Sequence, residues 1–369
     1  MKSVAFKLVL VLMLAAVLVS CAPAAAPAEP QKVEVTRVVA GTPVVEQVVV
    51  TATPAPTAEE KPFKVAIVMP SSITDAAFSQ SMYDGLKAVQ KEMGGESKMV
   101  IAYSEGMFKV PDAAAAIRDY ASQGYDLVIA HGSQYGTSVS QVAPDFPETS
   151  FAWGTALETF QKDGINNVFA YQAEAQQGGY VLGVLAAKMT KSGVLGVAGP
   201  VEAGDAKLYV DGFKAGAVAT TPGIKVNVTY TGSFSDVSLM AAAAETHMAN
   251  GADMLTGSSQ SVVGAIGVAK EKKGFWFGTQ WDQTNLAPEA VVASQVYDWT
   301  GIIKDMVASR KAGVLGGKAY TLTFKNKGLV IVYNSAIPVP ADGKTAADEA
   351  IQGIMDGKID PMKGPIPQK

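Results

Sequence analysis

Short apolar runs alternate with longer alanine-rich or amphipathic stretches along most of the chain after residue 62. KVAIVM (Lys64–Met69) and VLGVA (Val194–Ala198) are continuous apolar runs, which is typical of strands buried on both faces of a parallel sheet. Alanine-rich stretches such as Ala241–Ala244 predict helices, and a following glycine such as Gly251 predicts the end of the helix. The pattern predicts an α/β protein whose strands and helices alternate.

The alternation occurs twice with the same landmarks. DGLKA is followed by SFAWGT in the first half, and DGFKA is followed by GFWFGT in the second. The spacing from Gly85 to Gly154 is 69 residues (154 − 85), and that from Gly212 to Gly278 is 66 (278 − 212). The repeat predicts two similar lobes, each a mostly parallel sheet flanked by helices. Ligands bind outside the carboxyl ends of such strands, so we expect a cleft where the strand ends of the two lobes face each other.

The first sixty residues follow a different pattern. A short basic region precedes the apolar run Leu8–Val19, which is too short to span a bilayer, since a span takes about 20 residues. LVSC, which ends at Cys21, resembles the lipobox of bacterial lipoproteins, whose cysteine is lipidated. We predict a lipoprotein signal peptide over residues 1–20, acylation (palmitate) of Cys21, and a location on the extracytoplasmic face of the cell membrane. Residues 21–61, including the valine-rich stretch Val33–Thr53, are predicted to form a disordered tether.

Composition and motifs argue against several functional classes. The chain has 369 residues, a formal charge of −4 and a single cysteine, and it contains no basic cluster that would indicate nucleic-acid binding. No metal-binding spacing, GxSxG elbow or GxxxxGK[ST] phosphate loop is present. We therefore predict a binding protein and not an enzyme, with no catalytic residues, no metal and no cofactor.

The strand ends carry side chains suited to a flat, polar ligand. FGTQWDQ (Phe277–Gln283) begins as a strand and ends in an indole, two amides, a hydroxyl and a carboxylate. Trp153 and Trp281 could stack on a heteroaromatic ring, although packing of Trp281 on the core is the simpler alternative. Gln280 and Gln295 can donate and accept hydrogen bonds. The hydroxyls in the turns could bind ligand or cap helices, and the sequence leaves both readings open.

ITDAAFSQSMYDGLKA, YDLVIAHGS, EAQQGGYVLGVLAAKMTKSGVLGVAGP, DGFKAG and GTQWDQTNLAPEAVVAS together resemble the basic membrane lipoprotein (BMP) family, over about residues 63–334. This family of substrate-binding lipoproteins includes the purine nucleoside receptors. The resemblance implies a two-lobed type I periplasmic-binding-protein fold with three interlobe crossings. It predicts an N-terminal lobe over residues 62–172 plus 295–327 and a C-terminal lobe over residues 173–294 plus 328–369.

The resemblance also assigns site residues by position. Phe78 matches the family's stacking aromatic residue, and Ser79 stands where an asparagine usually follows it. Thr155 lies where the family has an acidic residue, Gln280 replaces the first Asp of the GVDSDQ-like turn, and Tyr297 replaces a basic residue. Most ribose-binding acids are missing, so a free nucleobase fits better than a nucleoside. The predicted ligand-binding residues are Phe78, Ser79, His131, Ser133, Trp153, Thr155, Ser258, Gln280, Trp281, Asp282, Gln295 and Tyr297.

These inferences predict a lipid-anchored, extracytoplasmic receptor, expected to be a monomer. It would capture a small planar polar solute (a purine base, a nucleoside or a similar molecule) between its lobes and deliver it to the permease of an ABC importer. Two alternatives remain open at this stage. One is a ligand sensor without transport, and the other is a lipid-anchored two-domain hydrolase that uses carboxylates of the cleft.

Overall fold

The computed structural model describes residues 31–39, 42–50 and 61–365, and the chain divides into two compact units, Met1–Glu60 and Lys61–Lys369. In the first unit, β1 (Gln31–Val39) and β2 (Thr42–Val50) form an antiparallel hairpin. Both strands fall within the predicted disordered tether (residues 21–61), and each valine-rich segment supplies the other's hydrogen-bonding partner. The predicted signal peptide (residues 1–20), Cys21 and the remainder of the tether lie outside the described residues. Among the helices that are described, none combines the length and apolarity needed to cross a bilayer.

Two six-stranded sheets organise the second unit. The N-terminal sheet contains β3 (Phe63–Val68), β4 (Met99–Ser104), β5 (Leu127–His131), β6 (Ser150–Gly154), β7 (Val168–Ala173) and β13 (Ala319–Leu322). The C-terminal sheet contains β8 (Val194–Gly199), β9 (Lys225–Tyr230), β10 (Met254–Gly257), β11 (Phe275–Gln280), β12 (Val291–Tyr297) and β14 (Leu329–Tyr333).

The strand orders of the two sheets match. They are β13-β7-β6-β5-β3-β4 and β14-β12-β11-β10-β8-β9, so each strand of one lobe has a counterpart in the other. Every neighbouring pair is parallel except β12 and β14, which are antiparallel. The predicted α/β class and the internal repeat are confirmed.

Helices cover the sheets between successive strands. They are α1 (Phe78–Glu92), α2 (Val110–Ser122), α3 (Gly136–Val142), α4 (Ala175–Met189), α5 (Gly204–Thr220), α6 (Val237–Ala249), α7 (Val263–Glu271), α8 (Thr300–Lys311) and α9 (Ala341–Met355). A two-stranded ribbon of β15 (Ile359–Asp360) and β16 (Gly364–Pro365) follows α9. All five residues of β5 are buried, as expected for a strand with apolar side chains on both faces.

Glycines let α4 and α5 pack at very short range in the C-terminal lobe. A Cβ at Gly183 would stand 2.1 Å from the carbonyl oxygen of Phe213, and a Cβ at Gly216 would stand 2.0 Å from that of Tyr180. Real Cβ atoms do not approach backbone oxygens so closely, so any larger residue would separate the helices. These glycines therefore set the distance between α4 and α5.

The chain passes between the lobes three times, as predicted: after β7, after β12 and after β13. The predicted boundary at residue 295 falls within β12, which pairs with β11 and β14 as far as Val296 and Tyr297. The crossing therefore begins at Asp298. The next residue, Trp299, is fully buried, and its Nε1–H donates to Ser81 Oγ of α1 at 2.9 Å.

Candidate ligand-binding site

A small cavity lies where the carboxyl ends of the two sheets face each other. Both lobes line the cavity, each through residues that end or follow strands. The lining residues are Pro70, Phe78, Phe108, Gly132, Ser133, Gln134 and Thr155 of the N-terminal lobe and Asp205, Phe234, Gln260 and Gln280 of the C-terminal lobe. The structure thus brings four of the predicted residues to one cavity: Phe78, Ser133, Thr155 and Gln280.

Phe78 begins α1 and is held from two sides. The buried carboxylate of Asp75 accepts hydrogen bonds from the backbone N–H groups of Ala77, Ser79 and Gln80, which satisfies free donors at the start of the helix. Burial raises the pKa of Asp75 above its usual value, although these hydrogen bonds oppose the shift. From the other side, the His131 ring stacks on the Phe78 ring with centroids 3.7 Å apart.

His131 is fully buried and is absent from the cavity lining. Its Nε2 lies 3.0 Å from the carbonyl oxygen of Phe78, and its Nδ1 lies 2.8 Å from the hydroxyl of Tyr171. Since a carbonyl can only accept, Nε2 carries the proton and Nδ1 accepts from Tyr171. Burial lowers the pKa of His131 to about 3, so the ring is neutral. In this structure the predicted ligand-binding residue His131 supports Phe78 from behind the cavity wall.

Ser79 and Trp153 also differ from the prediction. Ser79 is fully buried and its Oγ accepts from the backbone N–H of Ser71 at 3.2 Å. Trp153 lies outside the cavity lining; its Nε1–H donates to the carbonyl oxygen of Gly132, and its ring stacks on Phe160. The indole occupies the space that a Cβ at residue 136 would need, so it packs against the helix and not against a ligand.

The polar residues at the end of FGTQWDQ have two roles: some line the cavity, and others make contacts between the lobes. Gln280, the last residue of β11, has a left-handed φ of 75° and lines the cavity. Trp281 turns away from the cavity, and its Nε1–H donates to Asp84 Oδ2 of the opposite lobe at 3.0 Å. Asp282 accepts from the backbone N–H of Thr284. Trp281 and Asp282, both predicted to bind ligand, follow the left-handed residue Gln280 and lie outside the lining of this cavity.

Gln283 makes a second contact between the lobes. Its Nε2 donates to the carbonyl oxygen of Ala76 at 3.1 Å, while its Oε1 accepts from Nε1 of the buried Trp276 at 2.8 Å. The side chain is fully buried, so both ends of its amide are satisfied. The contacts made by Gln283 and Trp281 belong to a state in which the two rims lie close together.

Ser258, Gln295 and Tyr297 are buried behind the cavity wall. Ser258 Oγ lies 3.4 Å from Gln280 Nε2. Gln295 Oε1 accepts from the hydroxyl of Thr279, and its Nε2 donates to the carbonyl oxygen of Ala175 at 3.2 Å. Tyr297 lies with its hydroxyl 3.5 Å from Asp205. These three predicted binding residues therefore position the wall and do not line it.

The sequence analysis missed the phenyl rings of Phe108 and Phe234. Each follows the second strand of its lobe, after a glycine with positive φ: Gly106 at 72° and Gly232 at 78°. The segments EGMF (105–108) and TGSF (231–234) are therefore equivalent in the internal repeat. Extending the repeat past the second strand would have identified both rings. With Phe78, they make three phenyl groups around one cavity.

Asp205 is the only acidic residue of the lining. It lies in the first turn of α5, and burial raises its pKa to about 6, against the opposing effect of hydrogen bonds from Tyr297 and Gln280. Two further acceptors of the lining, Gln260 Oε1 and Gln280 Oε1, are buried without a hydrogen-bond partner. In the part of the chain that the structure describes, no cluster of histidine, cysteine and acidic residues could hold a metal ion.

Comparison with known proteins agrees with this architecture. A family model described as "ABC transporter substrate-binding protein PnrA-like" matches residues 63–356. A purine-binding protein of Brucella abortus is 28% identical over 311 residues, covering 84% of this chain and 85% of that protein. The nucleoside-binding protein BmpA of Lactococcus lactis is 28% identical over 321 residues, covering 80% and 88%. The crystal structure of a solute-binding protein from Aeropyrum pernix matches with a TM-score of 0.69 at 18% identity, covering 81% of this chain and 93% of that one.

Proposed function

This chain belongs to the PnrA-like ABC transporter substrate-binding proteins, and from that membership and the geometry of the cleft we propose that its solute is a flat, polar nitrogen heterocycle of the nucleobase class. The observation that carries the proposal is a cavity shared by both lobes with three phenyl rings in its wall. Rings of this kind hold a planar heteroaromatic molecule by stacking, at about 0.5–1.5 kcal/mol per aromatic pair beyond the burial of area.

The polar groups of the lining favour a base over a sugar. A ribose is recognised through several hydroxyl groups, each of which needs acceptors and donors nearby. The acidic position that the BMP resemblance places near the ribose falls at Met69 or Pro70 in this chain, and two further acidic positions of the family are replaced around Gly154 and Thr155 and at Gln280. The relatives in Brucella and Lactococcus are named for purine and nucleoside binding. A flat base suits the phenyl rings and the hydrogen-bonding side chains of the cavity wall.

Capture works through closure of the lobes. A ligand that contacts both rims binds the closed form better than the open form, so it shifts the population toward closure. Two hydrogen bonds form only when the lobes come together: one from Trp281 to Asp84 and one from Gln283 to the carbonyl oxygen of Ala76. The closed form then presents one continuous surface to the permease of an ABC importer, which is the partner that the family implies.

The proposal also includes a lipid anchor at Cys21. Acylation of Cys21 would hold the receptor at the extracytoplasmic face of the membrane, where two or more acyl chains give stable attachment and one chain gives only marginal binding. Metabolic labelling of cells with radioactive palmitate tests this step. Label should enter the wild-type protein and be absent from the Cys21→Ser variant; equal labelling of the two would exclude acylation at Cys21.

Calorimetric titration of the purified protein tests the choice of solute. We expect adenine or hypoxanthine to bind one-to-one and to be recovered unchanged, while ribose gives no heat. The Phe78→Leu variant should bind the base about tenfold more weakly, whereas Phe160→Leu, which alters a ring stacked on Trp153 outside the cavity, should bind normally. Binding of ribose without binding of any base, or conversion of the base into a product, would refute the proposal.

A further inference from the structure

The polar part of the cavity wall is rich in hydrogen-bond acceptors that lack partners. Six side chains of the lining can hydrogen-bond: Ser133, Gln134, Thr155, Asp205, Gln260 and Gln280. Within the described lining there is no lysine, arginine or histidine, so no full positive charge balances the carboxylate from the protein side. The excess of hydrogen-bond acceptors over positive charges is a property of these lining residues, and membership of the family does not imply it.

Two of the acceptors are buried amide oxygens. Gln280 is 4% exposed, and its Oε1 has no hydrogen-bond partner; the same is true of the buried Oε1 of Gln260. The orientation of the Gln280 amide is fixed by its neighbours, because its N–H group faces Ser258 Oγ and the Asp205 carboxylate. Rotating the amide would place its oxygen against that carboxylate. A buried acceptor without a donor is costly, and both of these acceptors lie on the wall of a ligand cavity.

Asp205 is the third acceptor, and it has no cationic neighbour. The nearest lysine on its helix is Lys207, whose Nζ forms ion pairs with Asp211 Oδ2 at 2.6 Å and with Glu202 Oε1 at 3.6 Å. The groups that lower the pKa of Asp205 are two backbone N–H groups, the Tyr297 hydroxyl and the Gln280 amide, and no cation is among them. The Tyr297 hydroxyl lies 3.5 Å from Asp205 Oδ2, at the limit for a hydrogen bond, so the carboxylate can accept a shorter hydrogen bond from a donor in the cavity.

We propose that Asp205, together with the unpartnered oxygens of Gln260 and Gln280, selects a solute whose edge presents N–H donors, namely an amino-substituted nitrogen heterocycle, over its oxo-substituted analogue. This inference rests on the proposed function and adds the substrate class. An exocyclic amino group offers two N–H donors to the wall, whereas an oxo group at the same place would set one acceptor against another.

Adenine and hypoxanthine form a matched pair for the test, since they differ at the amino and oxo positions of one ring system. For the wild-type protein, calorimetric titration at pH 7.5 should give a dissociation constant at least tenfold lower for adenine. In the Asp205→Asn variant, whose amide can donate to an oxo group, the ratio should fall to about threefold or less. The Asp211→Asn variant changes a carboxylate on the same helix that lies outside the cavity lining, and it should retain the wild-type ratio.

A second variant covers the case in which Asp205→Asn fails to fold. Gln260→Leu keeps the size of the side chain and removes one unpartnered oxygen, so it should weaken adenine binding by about tenfold and hypoxanthine binding by less. Equal wild-type affinity for the two bases, or a preference that survives Asp205→Asn and Gln260→Leu unchanged, would overturn this inference while the proposed function stands. Absence of binding by every base would instead refute the proposed function itself.

Discussion

The imidazole of His131 lies flat beneath the phenyl ring of Phe78, with ring centroids 3.7 Å apart and an interplanar angle of 10°. A hydrogen bond between His131 Nε2 and the carbonyl oxygen of Phe78, at 3.0 Å, fixes the same pair through the backbone. The ring that faces the cavity is therefore positioned by a buried neutral histidine of the neighbouring strand β5, and the position of Phe78 depends on that histidine remaining uncharged.

His131 should make the protein sensitive to acid. Its pKa is about 6.5 in the unfolded chain and about 3 in the fold, so only the unfolded state takes up this proton between those values. Stability from this group is present above pH 6.5 and is lost as the pH falls toward 3, at up to about 1.4 kcal/mol per pH unit. Urea unfolding of wild-type and His131→Gln proteins should show a difference in free energy that narrows on acidification from pH 7 to pH 5. A constant difference would contradict the assignment.

Asp205 should act in the opposite sense on the unliganded protein. Its folded pKa of about 6 lies above the ordinary value of 3.8, so the fold disfavours the charged form. Below pH 4, Asp205 does not lower the free energy of unfolding. Between pH 4 and pH 6 the free energy of unfolding of the wild-type protein falls relative to that of Asp205→Asn. Above pH 6 this difference, the stability deficit, stays constant. The deficit should reach about 3 kcal/mol at most. Thermal unfolding of both proteins at pH 4, 5, 6 and 7 measures this difference in stability. If the stability of Asp205→Asn relative to wild type fell between pH 4 and pH 7, the raised pKa of Asp205 would be disproved.

Trp281 and Asp84 should favour the closed form without contributing to the binding surface. Trp281→Phe keeps an aromatic ring and removes the N–H that donates to Asp84, so we expect the dissociation constant of the solute to rise about three- to tenfold, in line with roughly 1 kcal/mol for one hydrogen bond. Asp84→Ala should have a similar effect, and the double variant should be little weaker than either single variant. Full additivity would show that the two residues act independently.

Gly183 should tolerate no side chain. Gly183→Ala would drive a Cβ to within 2.1 Å of the carbonyl oxygen of Phe213, which forces α4 and α5 apart and should cost about 2–4 kcal/mol of unfolding free energy. Gly267→Ala is the matched control: it also lies within a helix, its Cβ would meet nothing within 4 Å, and alanine in a helix interior favours stability by about 0.5–1 kcal/mol. Equal melting temperatures for the two variants would show that the helices are not closely packed.

The sequence alone determined the α/β class, the duplication, the strand-end position of the site and the family, because these depend on hydrophobic periodicity and on local motifs. Four of the predicted binding residues, Phe78, Ser133, Thr155 and Gln280, line the cavity between the lobes. The direction in which a strand-end side chain points is decided by later turns and by packing against other elements, and the sequence does not contain that information locally. After the left-handed residue Gln280, Trp281 contacts the opposite lobe. The ring of Trp153 occupies the space beside Gly136, where a larger residue would need room for its Cβ.

Tertiary structure alone also decided which buried groups act together. His131 and Phe78 are 53 residues apart in the chain, yet their rings stack. Asp205 lies 75 residues before Gln280 (280 − 205), yet both line one cavity. Charge, burial and the supply of hydrogen-bond partners at such a wall depend on what several distant segments bring to it. For that reason the chain's sequence indicated a site for a flat solute, while the acceptor-rich character of its wall became visible only once both lobes had been brought face to face.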